Sequence, residues 1–131
     1  MKLNNETKEK IQAEYDAWQA EQYAGKDKKE RQKLGQFFTP PLLTIKMIEK
    51  FDTIKDKDIL DPTVGSGGLL AACILAGADP KRCYGIELDP EVLEIAKKRL
   101  GNLGVPSGNL ILGNALDPEI YEKLGRSTSE I

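Results

Sequence analysis

Histidine is missing from all 131 residues. Its absence excludes histidine-based acid/base chemistry and Ser-His nucleophiles, and removes the commonest metal ligand. Cysteine occurs only at Cys73 and Cys83, within apolar runs and without C-x-x-C spacing. These are expected to be buried free thiols of a reducing compartment rather than a redox or zinc motif. No apolar run approaches the roughly 20 residues that cross a bilayer, and no signal-peptide pattern opens the chain. A soluble, cytoplasmic protein is expected, with no membrane partner and no metal. An excess of positive charge is also lacking: 19 Lys and Arg face 21 Asp and Glu, for a net charge of −2. That balance argues against a free-standing basic nucleic-acid binder. No G-x-x-x-x-G-K-[ST] stretch occurs, so ATP held by a P-loop is not expected.

What is present is an ordered series of helices and short strands. Residues 5 to about 24 favour helix, with Ile11, Tyr15 and Trp18 at i, i+4 and i+7 forming a narrow stripe. Gly25 ends it. Residues 26–33 carry five positive and two negative charges, which reads as a solvated linker or helix face, with phosphate contact the alternative. Gly35-Gln36-Phe37-Phe38-Thr39-Pro40-Pro41 cannot be helical, because each proline disfavours the α region for the residue before it. Pro41 is suited to open a helix, with Thr39 or Pro40 at or just before the cap. Leu42, Leu43, Ile45, Met47, Ile48 and Phe51 would give that helix a wide apolar face.

Lys57 to Asp61 then reads as a strand, and Gly67 to Gly77 as a helix apolar nearly all round. Residues 82–87 form a second strand. A helix opened by Pro90 and capped by Asp89 follows, with Val92, Leu93, Ile95, Ala96 and Leu100 facing inward. Asn109 to Leu112 is a third strand. Asp117 is expected to cap a last helix reaching about Leu124, and residues 125–131 to fray. Strands separated by helical crossovers are parallel, so residues 35–131 predict three strands ordered 3-2-1, half of a doubly wound α/β sheet. Residues 1–34 form a helical extension before it.

In such a sheet ligands bind beyond the carboxyl ends of the strands. Three polar clusters fall there. The first is Asp61-Pro62-Thr63-Val64-Gly65-Ser66-Gly67-Gly68, whose glycines let a ligand approach the main chain. The second is Glu87-Leu88-Asp89; Glu87 ends its strand about 20 residues after the glycine turn, where a carboxylate can accept both ribose hydroxyls. The third is Asn114-Ala115, with Asn114 equipped to read a base edge. Each has a plain alternative: a turn, a helix cap, and another turn. Their order on one sheet favours a nucleoside ligand. The turn lacks the G-x-G-x-x-G pattern of a dinucleotide site.

Asp-Pro-Thr-Val-Gly-Ser-Gly-Gly-Leu-Leu resembles the S-adenosylmethionine motif of adenine-specific (N6) DNA methyltransferases. Gly-Gln-Phe-Phe-Thr-Pro-Pro resembles the motif that precedes it where the methionine-binding segment comes first. Tyr-Gly-Ile-Glu-Leu-Asp-Pro and Gly-Asn-Ala-Leu resemble the next two, in order, across residues 35 to about 116. The resemblance implies a Rossmann-like class I methyltransferase sheet with S-adenosylmethionine as cofactor. Phe38, Thr39 and Pro40 would then hold the methionine end, with Thr39 meeting its carboxylate. Asp61, Thr63, Gly65, Ser66 and Gly67 would line the methionine and ribose side, Asp61 facing the ammonium group. Glu87 would take the ribose hydroxyls, Leu88 would pack on adenine, and Asn114 with Ala115 would meet its amino edge. The family usually has Asp where Asn114 stands.

One part of the family pattern is not found. N6 methyltransferases hold the target amine with Asn/Asp-Pro-Pro-Tyr/Phe after a fourth strand. Asp117-Pro118-Glu119-Ile120-Tyr121 is an imitation too close to Asn114 to follow another helix and strand, and Thr39-Pro40-Pro41-Leu42 lacks amide and aromatic. No catalytic residue is therefore assigned. The chain is expected to be a fragment, a split-enzyme half or a short form that pairs through the edge of its first strand. DNA is the expected substrate of the complete enzyme. The alternatives are a non-catalytic module that regulates methylation by association, and a different Rossmann-like enzyme using another nucleoside.

Overall fold

The computed structural model describes residues 1–124. The helix Asn5–Tyr23 (α1) is capped by Asn4, whose side chain accepts from the Thr7 N–H at 2.8 Å. Its narrow stripe buries Ile11 and Trp18. The charged segment that follows forms a helix of its own, Lys28–Gly35 (α2); it takes in Gly35, expected to be non-helical, since the prolines act only on the residues next to them. Asp27 and Glu30 close a capping box at its start, and it buries no residue. Capping chemistry is what a charged, poorly apolar segment has available to start a helix.

Pro41–Ile48 (α3) begins with Pro41 at its first turn and Pro40 at the cap. Its apolar surface divides. Pro41, Thr44 and Ile48 are buried, whereas Leu42, Leu43, Met47 and the following Phe51 remain exposed. The face that packs is the one carrying a threonine, whose hydroxyl is satisfied by the Pro41 carbonyl at 3.1 Å.

Three short strands follow with helices between them: Ile59–Asp61 (β1), Gly68–Leu75 (α4), Cys83–Glu87 (β2), Pro90–Asn102 (α5) and Leu110–Leu112 (β3). All pairing is parallel and β2 lies in the middle, so the order β1-β2-β3 is the expected 3-2-1 read from the other edge. Asp61 stands opposite Gly85, and Glu87 opposite Leu112. Among the described residues β1 pairs only with β2.

In α4, Leu70, Ala71, Ala72 and Cys73 are buried, while Leu69, Ile74 and Leu75 are half-buried, so its apolar surface is only partly covered. Helix α5 starts as its sequence requires: Pro90 sits in the first turn and Asp89 accepts from the Glu91 and Val92 N–H groups. It buries Val92, Leu93, Ala96 and Leu100, with Ile95 only half-buried and Arg99 buried on the apolar side. The core holds Ile48, Leu70, Leu100 and Leu110, all close to zero exposure, and Ile86 is fully buried as well. Leu3 and Ile11 join the same core, which ties the N-terminal segment to the sheet layer. Both cysteines are buried and free, with burial pushing the Cys73 thiol up to about 12 and the Cys83 thiol up to about 11.

The last helix is shorter than expected, Ile120–Lys123 (α6), with Glu119 at its cap. Asp117 closes the preceding turn instead, its side chain accepting from the Glu119 N–H. Residues 114–117 already form a turn, closed by the Asp117 N–H on the Asn114 carbonyl, and a carboxylate at the start of the next turn bonds the amide two residues on. The tail expected to fray lies outside the described residues. No described helix is long and apolar enough to cross a membrane, and the described residues contain no cluster of acidic or sulfur side chains suited to a metal.

Candidate cofactor site

The carboxyl ends of β1, β2 and β3 bring the three polar clusters together. Asp61, the last residue of β1, is buried and its Oδ1 accepts from the Thr63 N–H at 3.0 Å. The chain then crosses towards β2, where the Val64 N–H donates to the Ile86 carbonyl at 2.9 Å. Gly67 turns it back with φ +90°, a left-handed conformation, and delivers it into α4. A Cβ at Gly67 would stand 2.9 Å from Leu100 Cγ. Ordinary L-residues are therefore disfavoured there twice, by backbone angle and by contact.

Glu87 ends β2 and ties the site together. One carboxylate oxygen accepts from the Gly65 N–H at 3.1 Å and the other from the Asp89 N–H at 2.8 Å. The Gly113 N–H adds a bond to the Glu87 carbonyl. One residue thus holds the glycine turn, the start of α5 and the end of β3. A carboxylate has about four lone-pair sites, so two backbone bonds leave acceptor capacity for a ligand.

Residues 37–40 lie against the same turn. The Ser66 hydroxyl donates to the Phe37 carbonyl at 2.7 Å, and a Cβ on Gly68 would come within 3.3 Å of Thr39 Cβ. Phe38 and Thr39 are half-buried and Pro40 is exposed. Leu88 is 70% exposed, so the residue expected to cover a base has nothing else to cover. Asn114 is exposed and its Oδ1 accepts from the Leu116 N–H at 2.9 Å. Its plain role as a turn former is therefore realised, and its amide N–H groups stay available. Ala115 is half-buried, its carbonyl accepting from the Tyr121 hydroxyl.

Burial raises the Asp61 carboxyl above the usual carboxylate range; the Thr63 N–H opposes the shift and the charge of Glu87 adds to it. The folded protein thus holds this proton more tightly than the unfolded chain, and stability falls as pH rises from the ordinary carboxylate pKa through the raised one. Asp61→Asn keeps an acceptor for Thr63 and removes the charge. Its urea midpoint should exceed that of the unsubstituted protein at pH 7, with the difference vanishing at acid pH. Midpoints that differ equally at both pH values would contradict this.

Sequence reasoning passed over one cluster beside the site. Arg99 is buried, donates from Nε and Nη2 to the two carboxylate oxygens of Glu14, and lies 4.0 Å over the ring of Trp18. Its position was legible in part, because Val92, Ala96 and Arg99 fall at i, i+4 and i+7 on the buried stripe of α5. Its partner, 85 residues away in sequence, was not.

The N-6 DNA methylase family matches residues 5–107, most of the chain. The chain belongs to that family. The match starts at the beginning of α1 and takes in the first three motifs, ending before Gly113-Asn114-Ala115-Leu116. Over 70 residues, 53% of the chain, it is 34% identical to a type II methyltransferase of Paramecium bursaria Chlorella virus XZ-6E. That stretch is 18% of the viral protein, so the chain corresponds to a small part of it. Among solved structures, an RNA methyltransferase from Salinibacter ruber in complex with S-adenosyl-L-homocysteine superposes with a TM-score of 0.51 at 29% identity, over 65% of this chain and 55% of that one. A Thermoplasma acidophilum structure aligns over 82% of this chain and 46% of that one, with a TM-score of 0.49 at 20% identity.

Proposed function

We propose that this chain is the S-adenosylmethionine-binding portion of a DNA adenine-N6 methyltransferase. The observation that carries the reading is Glu87. It ends the middle strand, clasps the glycine turn through Gly65, and keeps lone pairs for two ribose hydroxyls. The groups around it fit a cofactor with a nucleoside at one end and a charged amino acid at the other. Asp61, buried beside a second carboxylate, is relieved by a positive group such as the cofactor's ammonium. Phe38, Thr39 and Pro40 take the methionine end, and Thr63, Gly65, Ser66 and Gly67 supply the wall between the two ends. Leu88 packs on the adenine ring. Asn114, beside Ala115, turns its amide N–H groups toward the base edge, since its oxygen already serves Leu116.

The cofactor, when bound, supplies an activated methyl group. The residues of this chain bind it and orient it. They do not include an Asn/Asp-Pro-Pro-Tyr/Phe segment to hold a target amine. We therefore assign methyl transfer to an assembly in which that segment and the DNA-reading surface come from elsewhere.

The outer edge of β1 is the docking place this reading selects. It borders a groove of about 500 Å³ lined by Phe51, Ile54, Ile59 and Leu60 with Lys57 and Asp58. The same edge supports the second reading, a regulatory half-fold acting by association alone. Calorimetric titration tests the first: S-adenosylmethionine should bind and NAD should not. No heat from S-adenosylmethionine would overturn the cofactor assignment.

A further inference from the structure

Helix α1 lies outside the motifs that resemble a cofactor site, yet two of its residues grip the segment that borders one. The chain starts anchored: the Met1 amino group donates to the carbonyls of Glu49 and Phe51, and the Leu3 N–H to the Glu49 side chain at 3.0 Å. Further along, Glu14 holds Arg99 by two charge-assisted bonds, of 3.1 and 2.6 Å. Trp18 meets two groups, with the Arg99 guanidinium over its ring and Phe38 tilted 58° to it at a centroid distance of 4.5 Å. Tyr23 stacks on Phe38 at 5.4 Å, with the planes 24° apart. Phe38 is thus held by two aromatic residues of α1, one residue before Thr39.

Arg99 itself is left with one nitrogen unused. Nη1 is buried and has no hydrogen-bond partner, although buried polar groups nearly always have one. It faces the start of α4: a Cβ on Gly68 would lie 3.7 Å from Arg99 Nη1 and 3.4 Å from the Thr39 carbonyl. The cap of α4 is Gly67, which has no side chain to satisfy the first N–H groups of the helix. Two independent features therefore converge on one spot, a helix start of positive character and an unshared guanidinium nitrogen.

We propose that Arg99, clamped by Glu14 and Trp18, is a positioning residue for the amino-acid end of the ligand. It fixes Phe38 and Thr39 against the start of α4, so α1 takes part in recognising an α-amino carboxylate. The inference rests on the cofactor reading above and deepens it. It concerns the amino-acid end alone; the nucleoside end depends on Glu87 and Leu88.

Two ligands separate the ends. S-adenosylhomocysteine carries the amino acid, whereas 5′-methylthioadenosine has the same nucleoside and thioether without it. Calorimetry on the full chain should show Arg99→Lys and Trp18→Leu binding S-adenosylhomocysteine about tenfold more weakly, the worth of one bond to a charged group. Methylthioadenosine affinity should stay unchanged in both variants. Equal losses for the two ligands would reduce the cluster to a general structural role and overturn the proposal, as would no loss for either. If a variant fails to fold, Glu14→Gln and Trp18→Phe weaken the same clamp more gently, and the ratio of the two affinities reads the effect. An unsubstituted chain that binds neither ligand would instead remove the cofactor reading itself.

Discussion

Glu87→Ala should abolish measurable binding of S-adenosylmethionine. The side chain joins the glycine turn to the start of α5, and its loss acts on both as well as on the ligand. Ribose hydroxyls lose a charged acceptor, and two bonds of about 1.5–3 kcal/mol each correspond to a fall in affinity of about a hundredfold or more. The Gly65 and Asp89 N–H groups lose their acceptors as well. The glycine turn and the start of α5 are then free to drift from the geometry that fits the ligand. Both sites are partly open, so water replaces much of what those amides lose, and the fold should survive with a reduced urea midpoint. Glu87→Gln separates the effects, since its carbonyl oxygen still accepts one backbone bond while the charge is gone. Its affinity should lie between the two. Titration calorimetry with a parallel urea melt checks both variants, and an Ala variant that binds like the unsubstituted chain would remove Glu87 from the site.

Gly67→Ala should be the most damaging substitution of a single small residue in the turn. At φ +90° a Cβ is strained, and here it would also meet Leu100 Cγ at 2.9 Å. Leu100 is fully buried and cannot swing aside without disturbing the core. Backbone strain of about 1–3 kcal/mol combines with overpacking of similar size, a large share of the roughly 5–15 kcal/mol that holds a domain folded. Gly77 provides the comparison: its φ is +117°, but nothing lies within 4 Å of its would-be Cβ. Gly77→Ala bears the backbone cost without the contact. Chemical denaturation of the two variants should therefore rank Gly67→Ala well below Gly77→Ala, and the gap measures what Leu100 contributes. Equal losses would mean that the turn has room.

The features legible in the sequence were those set by neighbours along the chain. Pro41 and Pro90 in first helical turns, Asp89 at a cap, and alternating strands and helices are local rules, and the structure follows them. Parallel order came from the same source, because a crossover helix between strands leaves few other arrangements. What was not legible depends on partners far away. The apolar residues of α3 gave no sign of which would be covered, and the buried face turned out to carry Thr44 while Leu42 and Leu43 stayed outside. A charged residue on an amphipathic helix reads as solvated unless its counter-charge is in sight, so Arg99 passed unnoticed. Glu87 shows the middle case. Its place at a strand end was visible, and its two backbone bonds, one of them reaching back 22 residues to Gly65, were not.

The register between the strands has a consequence for heredity. Asp61 and Glu87 reach the same rim because β1 and β2 pair with Asp61 opposite Gly85. Side chains alternate faces along a strand, so a slip of one residue would reverse every one of them. An insertion or deletion inside these short strands thus erases core and pocket together, whereas length changes in the connections leave both intact. Descendants of this chain can inherit the pocket whole or lose it whole, and drift in between is confined to the loops.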